Sequence, residues 1–476
     1  MIRELVNRIG IGLSRIGYTV KLAKRSFEAA SGRRDVNWRS SNFGSINSEV
    51  NAAAPMVRGR ARHFAENNAH AANGVAAFVT SLVGPGVVPV SQHPSRSVRR
   101  AIMAAYKRWA AHCDADGRTD FYGIQAAAVR GMIVDGEAFL QLIQTEVGFK
   151  LRLIPPELID SSHTVELGDG RRIIAGIEFN AEDRATAYWV RPARANDVFQ
   201  SYGTPIRVPA EDMIHLFVSH GPGQVRGISW LAPVLLRLGE LDQLEDALLV
   251  GVKVAAMHAG FLIDQNGTGT VPYDGTQAGS ILDSGLEPGT LKILPHGFDV
   301  KFNTPQAAQQ SIELVQHQLR AIAAGLGVPS HLLDGDLRQA NYSSLRAGLV
   351  SFRQRVEQIQ FHTIIPQMLT PIWERVITTA VLLGELIAPD FEDAITDYLS
   401  VEWYPPALPW VDPAKDAEAV ATEIATGLKS RRQAVAERGY DIETLDAEIA
   451  ADKQREESLG LTFGSNKKME AENASA

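Results

Sequence analysis

The sequence predicts an α+β protein, because two kinds of hydrophobic pattern occupy different parts of its 476 residues. Runs that alternate between apolar and polar residues are concentrated at positions 120–222, which indicates antiparallel strands. Apolar residues recur every three or four positions at 229–258 and 306–325, which indicates two long helices. A chain of this length is expected to form two or more packed regions.

The composition narrows the possible classes of protein. With 45% hydrophobic and 21% charged residues, and no apolar run of about 18 residues, the chain is typical of globular proteins and not of membrane-spanning ones. The single cysteine, Cys113, excludes an intramolecular disulfide and a thiolate-rich zinc site. The net charge of -8 disfavours tight, general DNA binding, although an acidic surface would suit a protein past which a duplex slides.

The N-terminal part of the chain is predicted to be helical. The first 26 residues place apolar side chains near helical spacing among six cations, but Gly10, Gly12 and Gly17 weaken such a helix, so we expect a docking arm on the protein itself rather than a membrane-surface helix. One or two alanine-rich helices follow at 47–82, and another at 98–112. The cations Arg58, Arg60 and Arg62 are expected to form a solvated or salt-bridged helix face rather than a phosphate site.

Five short runs indicate the strands of the β-rich region: EAFLQLIQ, FKLRLIP, IIAGIEFN, ATAYWVRP and MIHLFVS. His215 and His220 lie in or beside the last run with Asp212 nearby, so a metal-dependent hydrolase is one alternative function. On a strand, however, a five-residue separation places the two histidines on opposite faces, and no third ligand has a suitable spacing.

The glycine-rich stretch SHGPGQVRGIS, at 219–229, precedes a helix and could in principle cradle a phosphate. It lacks the Gly-Lys-Ser/Thr ending of a phosphate loop, and the following Gly227-Ile228-Ser229-Trp230-Leu231 lacks the second glycine of a nucleophile elbow. We therefore predict a turn into a helix here, no catalytic residues, no cofactor and no bound metal.

The two long helices bracket a small strand-rich module at 259–305, in which GFLI, GTLKIL and DVKF are the predicted strands. Because this module is short, the helices must run antiparallel, with the module at their common tip. On the first helix an apolar stripe is accompanied by four acidic residues. The stripe consists of Leu231, Leu235, Leu238, Leu241, Leu244, Leu248 and Val252, and the acidic residues are Glu240, Asp242, Glu245 and Asp246.

After the second helix, the stretch GLGVPSHLLDGDLRQANYSSLRAG, at 325–348, is predicted to be neither helical nor an ordinary connector. A further long helix is predicted from 344 or 345 to 365, then helices and an extended Pro-rich segment, with helix caps at Ser430 and Asp441. Residues 462–476 have the composition of a disordered end.

Four segments, in this order and at this spacing, resemble phage portal proteins of the lambda type. They are VRGRARHFAENNAHAANGVAAFVTSLVGPGVVP, GQVRGISWLAPVL, LDGDLRQANYSSLRAG and WVDPAKDAEAVATEIATGLKSRRQAVAERGYDIETLDAEIA. The resemblance extends from about residue 30 to 461. It implies a non-enzymatic subunit of a ring, usually of twelve copies, at one vertex of a phage capsid, through which double-stranded DNA is packaged and later ejected.

The resemblance also implies a division of the chain into the parts of a portal subunit. Residues 1–228 would form the wing, 229–258 and 306–325 the stem, 259–305 the clip, 326–344 the tunnel loop, 345–365 the long helix behind the loop, and 366–461 the crown. The implied partners are further copies of the chain, the terminase large subunit, the major capsid or scaffold protein, the head-tail adaptor and sequence-independent double-stranded DNA, with no membrane. Assembly would take place in the cytoplasm of the bacterial host, and the final location would be the virion.

Within this family the segment after the second stem helix enters the channel, which gives the stretch at 325–348 a role. Gly325, Gly327, Pro329 and Gly335 would form its hinge, because glycine permits unusual backbone angles and proline interrupts the preceding helix. The predicted DNA-channel residues of the loop are Arg338, Gln339, Asn341, Tyr342 and Ser343.

Alternatives for these residues remain open from the sequence. Asn341, Tyr342 and Ser343 could instead cap the next helix, and Asp334 with Asp336 could reflect a magnesium site or only a turn. The four acidic residues of the first stem helix are expected to line the channel or to pair with neighbouring subunits. A tail or baseplate ring protein that never contacts DNA is a further alternative function.

Overall fold

The computed structural model describes residues 44–146, 148–192, 203–256, 260–262, 291–293, 308–338, 342–406, 413–436, 438, 440 and 442–461. The predicted N-terminal docking arm, most of the strand-rich module at 259–305, Asp441 and the predicted disordered end lie outside these residues. Helices and strands are both abundant, and the α+β class is confirmed.

In chain order the elements of the described residues are α1 (Ile46–Asn67), α2 (Ala69–Leu82), β1 (Val88–Ser91), α3 (Arg96–Ala110), α4 (Phe121–Val134), β2 (Glu137–Thr145), β3 (Gly148–Ile154), β4 (Val165–Gly168), β5 (Arg171–Ile174), β6 (Ile177–Phe179), β7 (Ala185–Val190), β8 (Ile206–Pro209), β9 (Met213–Phe217), α5 (Leu235–Ala256), β10 (Gly260–Leu262), β11 (Leu291–Ile293), α6 (Ala308–Leu326), α7 (Ser330–Asp334), α8 (Tyr342–Ile359), a π-helical segment (Gln360–Leu369), α9 (Thr370–Leu382), α10 (Ile395–Leu399), β12 (Val401–Tyr404), α11 (Pro413–Ala425), α12 (Arg431–Ala436) and α13 (Ile442–Leu459). These elements form two compact units. One contains the described residues of 59–74 and 230–338, and the other contains the described residues of 44–58, 75–229 and 342–461.

The first unit is built on α5 and α6. Arg237 donates from Nη1 to Oε1 of Gln318 at 3.1 Å, while a Cβ placed on Gly325 would lie 2.5 Å from a methyl of Val234. As the residue number rises on α5 it falls on α6, so the two helices are antiparallel, as predicted. A glycine is required at position 325 because the chain segments approach too closely there for a side chain.

The apolar stripe of α5 is buried over only part of its length. Leu231, Leu235, Leu238 and Leu241 are buried, but Val252 is 62% exposed. The predicted apolar stripe is thus buried as far as Leu241 and is exposed at Val252 in one copy. Apolar residues are also exposed on the N-terminal half of α6, which lies beside the C-terminal half of α5 because the two helices are antiparallel. The exposed set is Leu249, Val250, Val252, Ile312 and Leu314.

Residues 59–74, at the junction of α1 and α2, belong to the same unit. Asn68 caps α2 by accepting from the backbone N–H of Ala71 at 2.8 Å, and its Nδ2 donates to Oδ1 of Asp242 at 2.6 Å. In the strand-rich module, β10 and β11 form a short parallel pair. Two of its predicted strands are thereby confirmed, while the third, DVKF, lies outside the described residues.

Among the described residues the second unit contains three antiparallel sheets, of which β1–β12 has two strands and the other two are larger. One has the strand order β3-β2-β9, with Leu140 opposite Leu153 and Ile214, and α4 packs against it. The other is a five-stranded meander in the order β4-β5-β6-β7-β8. The sequence pattern missed α4, β4 and β8. It also assigned IIAGIEFN to one strand, but Ala175 and Gly176 adopt φ angles of 50° and 82°, which fold this run into the β5–β6 hairpin.

A long helical stretch follows the loop region and also belongs to the second unit. It runs from α8 through the π-helical segment into α9, so the long helix begins at Tyr342 rather than at 344 or 345 and continues past 365. The buried Gln360 donates from Nε2 to the carbonyls of Ser81 and Leu82, which fixes the beginning of the π-helical segment. Trp373 of α9 is fully buried in the core.

The last elements follow the predicted pattern of helices around one extended segment. β12 pairs with β1, and Ser430 caps α12 by accepting from the N–H of Gln433 at 3.0 Å, as predicted. Glu443, at the beginning of α13, accepts from Arg96 and Arg99 of α3. Beyond this anchor, α13 is mostly exposed.

Candidate functional site

The segment between α6 and α8 contains the predicted hinge. α6 continues to Leu326, Gly327 has a φ of 77°, Pro329 immediately precedes α7, and Gly335 ends it with a φ of 70°. Both glycines occupy the left-handed region that disfavours other residues, as the hinge prediction requires. The prediction that 325–348 is non-helical is wrong, however, because α7 and the first turns of α8 lie within it. Gly325 is part of α6, and close helix packing accounts for it.

Contacts within the first unit attach α7 to the start of α2. Asn73 donates from Nδ2 to the carbonyls of Leu332 and Leu333 at 2.9 and 3.1 Å. A Cβ on Gly74 would meet the side chains of Leu326 and Leu333 at 3.1 Å, so the backbone of α2 approaches α7 closely. The first half of the predicted tunnel loop is thus a docked helical turn. The candidate channel residues are confined to the part after Gly335.

Polar contacts within this part organise a tight turn. Asp334 accepts from the N–H of Asp336, and Asp336 accepts from the N–H and Nε of Arg338 at 3.0 Å and from its Nη2 at 2.8 Å. The hydrogen bonds from Arg338 lower the pKa of Asp336 to about 2. Turn geometry therefore explains both carboxylates without a bound cation.

The turn presents two exposed side chains. Arg338 is 80% exposed in its side chain, and its guanidinium keeps donors beyond those that face Asp336. Leu337 is 57% exposed and lies within the predicted tunnel loop, but it was not among the predicted channel residues, although its place next to Arg338 in the sequence was visible. Gln339 and Asn341 lie outside the described residues. Tyr342 and Ser343 form the first turn of α8, and their side chains are likewise outside the description, so the channel and capping roles both stay predictions.

The four acidic residues of α5 do not form a single wall. With about 100° between successive helical residues, Asp242, Glu245 and Asp246 share one face and Glu240 lies opposite them. Asp242 accepts from Asn68, and a carboxylate oxygen of Glu245 lies 3.9 Å from Nε2 of His70. Two of the four carboxylates thus face the α1–α2 junction of the same chain, and Glu240 and Asp246 are exposed.

The residues of the hydrolase alternative have separate partners. Asp212 forms an ion pair with Arg375 at 2.9 Å, and His215 stacks between the rings of Phe139 and Phe217. Nε2 of His215 lies 3.1 Å from Oε2 of Glu137. Burial lowers the pKa of His215 and of His220. Within the described ranges, no three His, Cys, Asp or Glu side chains are grouped to hold a metal ion.

Glu137 lies at the centre of a buried ionic cluster that the sequence did not reveal. It is fully buried at the start of β2, and it accepts from Arg226 at 2.6 to 3.0 Å, from Arg58 at 2.9 Å and from the N–H of Gly227 at 3.0 Å. Burial alone would raise the pKa of Glu137, but Arg226 and His215 more than offset it, and the pKa is lowered. The partners are separated by as many as 90 residues, so no local pattern could indicate them.

The cluster explains the glycine-rich stretch. Arg226 also donates to the carbonyls of Pro156, Ala175 and Ile159, and so connects β2 to the meander. A Cβ on Gly227 would lie 2.1 Å from the carbonyl oxygen of Gly136, which only glycine allows. The stretch is therefore a structural joint, and the absence of a phosphate-loop ending agrees with this arrangement.

Comparison with known proteins identifies the family. The model of the family described as "Phage portal protein, lambda family" matches residues 31–360, which is more than two thirds of the chain. The chain belongs to the lambda family of phage portal proteins. The resemblance noted from the sequence is thereby confirmed. The family match includes the helix pair, the α7 turn and α8.

Relatives in this portal family align over most of the chain. A "Probable portal protein" of Halomonas phage phiHAP-1 is 26% identical over 477 residues, covering 95% of this chain and 89% of the relative. "Portal protein B" of Escherichia phage lambda is 23% identical over 459 residues, covering 85% of each. Among solved structures, the neck of an empty gene transfer agent particle aligns with 15% identity and a TM-score of 0.43, covering 78% of this chain and 90% of that one.

The portal family is a structural one, and the described residues show no helix that is long and apolar enough to cross a bilayer. The portal assignment also places the candidate site in context. The antiparallel pair α5–α6 and the turn after Gly335 are the parts of this chain that correspond to the predicted stem and tunnel loop.

Proposed function

We propose that this portal protein forms a ring of twelve copies at one vertex of a phage capsid, where it is the channel through which double-stranded DNA is packaged and ejected. The observation that carries the proposal is the family match across 31–360. Under this proposal the protein is assembled in the bacterial host cytoplasm and resides in the virion. It has no enzymatic activity of its own.

The stem role of α5 and α6 is supported by their exposed apolar residues. Leu249, Val250 and Val252 on α5, and Ile312 and Leu314 on α6, face solvent in one copy. Burial of apolar surface favours association. In a ring, neighbouring helix pairs would cover these residues. The module at 259–305 would then project from the ring as the clip.

The turn after Gly335 would approach the duplex. Arg338 combines high exposure with a guanidinium partly neutralised by Asp336, which favours weak and sequence-independent contact with passing phosphates. Twelve copies with a net charge of -8 would carry about -96, which would limit adhesion of the polyanion. Asp246 is an exposed member of the predicted acidic wall and would face the channel or a neighbouring subunit.

The proposed partners follow from the role in packaging. The terminase large subunit would dock on the clip and hydrolyse ATP, because the chain lacks a phosphate loop of its own. The major capsid or scaffold protein would surround the ring, and the head-tail adaptor would bind after DNA filling. Clip residues 259–305 would supply the surface for terminase, and wing residues up to 228 would supply the surface for the major capsid or scaffold protein.

The first test is electron microscopy of the purified protein with class averaging, together with its native mass. We expect rings near twelvefold with a central hole of roughly 20 Å or more, the width of a DNA duplex. A closed dimer without a channel would contradict the proposal. Assembly with scaffold and capsid protein provides a second condition if the isolated chain stays monomeric, and failure to join capsids there would also contradict it.

The loop is tested in a DNA packaging assay with Arg338→Ala and Tyr342→Ala. We expect both variants to assemble rings and to package less DNA per particle than the parent. Arg432→Ala, at an exposed position on α12, is the matched control and should package normally. Normal filling in both loop variants would exclude a role of this turn in DNA passage.

A further inference from the structure

The second unit contains an open apolar groove between α3, the β2–β3 hairpin and α9. Its volume is about 210 Å³, and Trp109, Phe149, Val376 and Leu383 are among the residues that line it. Trp109 is held by a hydrogen bond from Nε1 to the carbonyl of Phe149 at 3.0 Å, so the aromatic floor is fixed in place. An apolar cavity of about 150 Å³ can hold a molecule of benzene, so this groove has room for a leucine side chain.

The rim of the groove is mainly basic. Arg108, His112 and Lys150 lie at its edge together with one acid, Glu385, which already pairs with Arg108 at 3.4 Å. Lys150 has no ion pair among the described residues. The groove therefore suits a ligand in which apolar side chains are adjacent to carboxylates.

The chain carries such a ligand at the end of α13. Gly460 has a φ of 64°, and the N–H groups of Gly460 and Leu461 donate to the carbonyls of Glu457 and Glu456, which is a Schellman cap. In this motif the residue after the glycine usually packs on the last helical turn, but the positions it would meet are Arg455 and Glu456. Leu459 and Leu461 are consequently 60% and 47% exposed, beside two carboxylates.

The described residues of a single copy leave both the groove and the leucines uncovered. In the first part of α13, Glu443 meets Arg96 and Arg99, and Asp446 pairs with Arg431 at 2.7 Å, while the surface of the helix beyond Asp446 is largely exposed. The exposed end of α13 combines apolar and acidic side chains, and the open groove combines apolar and basic ones. We propose that the C-terminal end of α13, with Leu459, Leu461, Glu456 and Glu457, docks into the groove of a neighbouring copy and joins the subunits. This inference rests on the proposed ring.

Site-directed cross-linking between different chains tests the docking. In a Cys113→Ala background, chains with His112→Cys and chains with Leu461→Cys are co-assembled and treated with a short bismaleimide. Each chain then has one thiol, so a covalent dimer with both chains can arise only between copies. We expect the yield of the dimer between positions 112 and 461 to be high. It should be about fivefold or more above the yield obtained when the second thiol is placed at position 448, on the same helix.

Charge reversal sharpens the test. Lys150→Glu should lower the dimer yield about threefold, the effect of one exposed ion pair, and Glu456→Lys with Glu457→Lys on the partner should restore it. Rings of the His112→Cys and Leu461→Cys chains that assemble normally but give no dimer above the Glu448 control would overturn the docking and leave the ring intact. A parent chain that forms no ring, alone or with capsid proteins, would overturn both the proposed function and this inference.

Discussion

Two carboxylate–arginine pairs of similar geometry serve different purposes in this protein. Glu137 and Arg226 are fully or almost fully buried and 89 residues apart, whereas Asp336 and Arg338 lie two residues apart on an exposed turn. The first pair connects β2 to the meander, and the second shapes only its own turn. Burial and sequence separation, rather than the pairing itself, thus decide whether an ion pair holds the fold together.

The difference is useful for a portal subunit. In the proposed ring the sheet unit would have to keep its shape, and the Glu137 cluster supplies buried contacts from four parts of the chain. Among the described residues, the turn after Gly335 is held by α7 and by hydrogen bonds within the turn. It can therefore change conformation without disturbing the core.

Glu137→Ala should have the largest effect on stability. It leaves Arg58 and Arg226 buried without their carboxylate, which costs about 3–5 kcal/mol when one partner of a buried pair is removed. The measurement is the free energy of unfolding in urea for the purified subunit, with Asp336→Ala as the control at the exposed pair. A loss below about 1 kcal/mol for Glu137→Ala would refute the central role of the cluster.

Alanine substitution of two glycines extends the comparison to the backbone. A Cβ on Gly227 would lie 2.1 Å from a carbonyl oxygen, so Gly227→Ala must displace the joint and should cost up to about 3 kcal/mol. Gly335 has open space around it and only a φ of 70° to maintain, so Gly335→Ala should cost about 1 kcal/mol. Urea midpoints of the two variants are compared directly, and equal losses would contradict the difference in packing.

The parts that sequence could predict are those with local signals. The β2–β3 hairpin, α1 to α3 and the antiparallel helix pair follow from periodicity, turn residues and connection length. α4 was missed because its sequence FYGIQAAAVRGMIV is apolar around most of its circumference and lacks a clear helical stripe. The cluster around Glu137 could not be predicted, because its members become neighbours only after two sheets have formed.

The loop shows how one residue can support two predictions. Pro329 was interpreted as a helix breaker, yet proline is also favourable just before or at the start of a helix, and here it precedes α7. Gly335 was interpreted as a hinge and is also the C-terminal cap of α7. The tunnel-loop role that the family resemblance gives this segment stays a prediction, and the contact with Asn73 that holds its first half was outside the reach of local sequence patterns.

Asn73→Ala should loosen α7 with a smaller effect than the core substitutions. It removes two hydrogen bonds to the carbonyls of Leu332 and Leu333, a loss of about 1 kcal/mol that is confined to this turn. Hydrogen exchange of the peptide covering 327–338 should therefore accelerate about fivefold. Asn67→Ala is the matched control, because the side chain of Asn67 bonds only within α1, to His63. Faster exchange in the control as well would indicate a general loss of structure.

Arg338→Gln should have the smallest effect on stability, with no measurable change in the urea midpoint. Arg338 lowers the pKa of Asp336 to about 2. The ion pair is therefore fully formed at pH values above the pKa of the Asp336 carboxyl in the unfolded chain, and it is lost as the pH falls through about 2. Between about pH 4 and pH 8 the parent and the variant should thus respond to pH in the same way. Midpoints at pH 5 and pH 8 test this. A midpoint of the parent above that of the variant at both pH values, with a difference that shrinks only below about pH 4, would mean that the turn contributes to the fold. If the midpoints agree, any packaging defect of an Arg338 variant arises in the channel, because the subunit itself is unchanged.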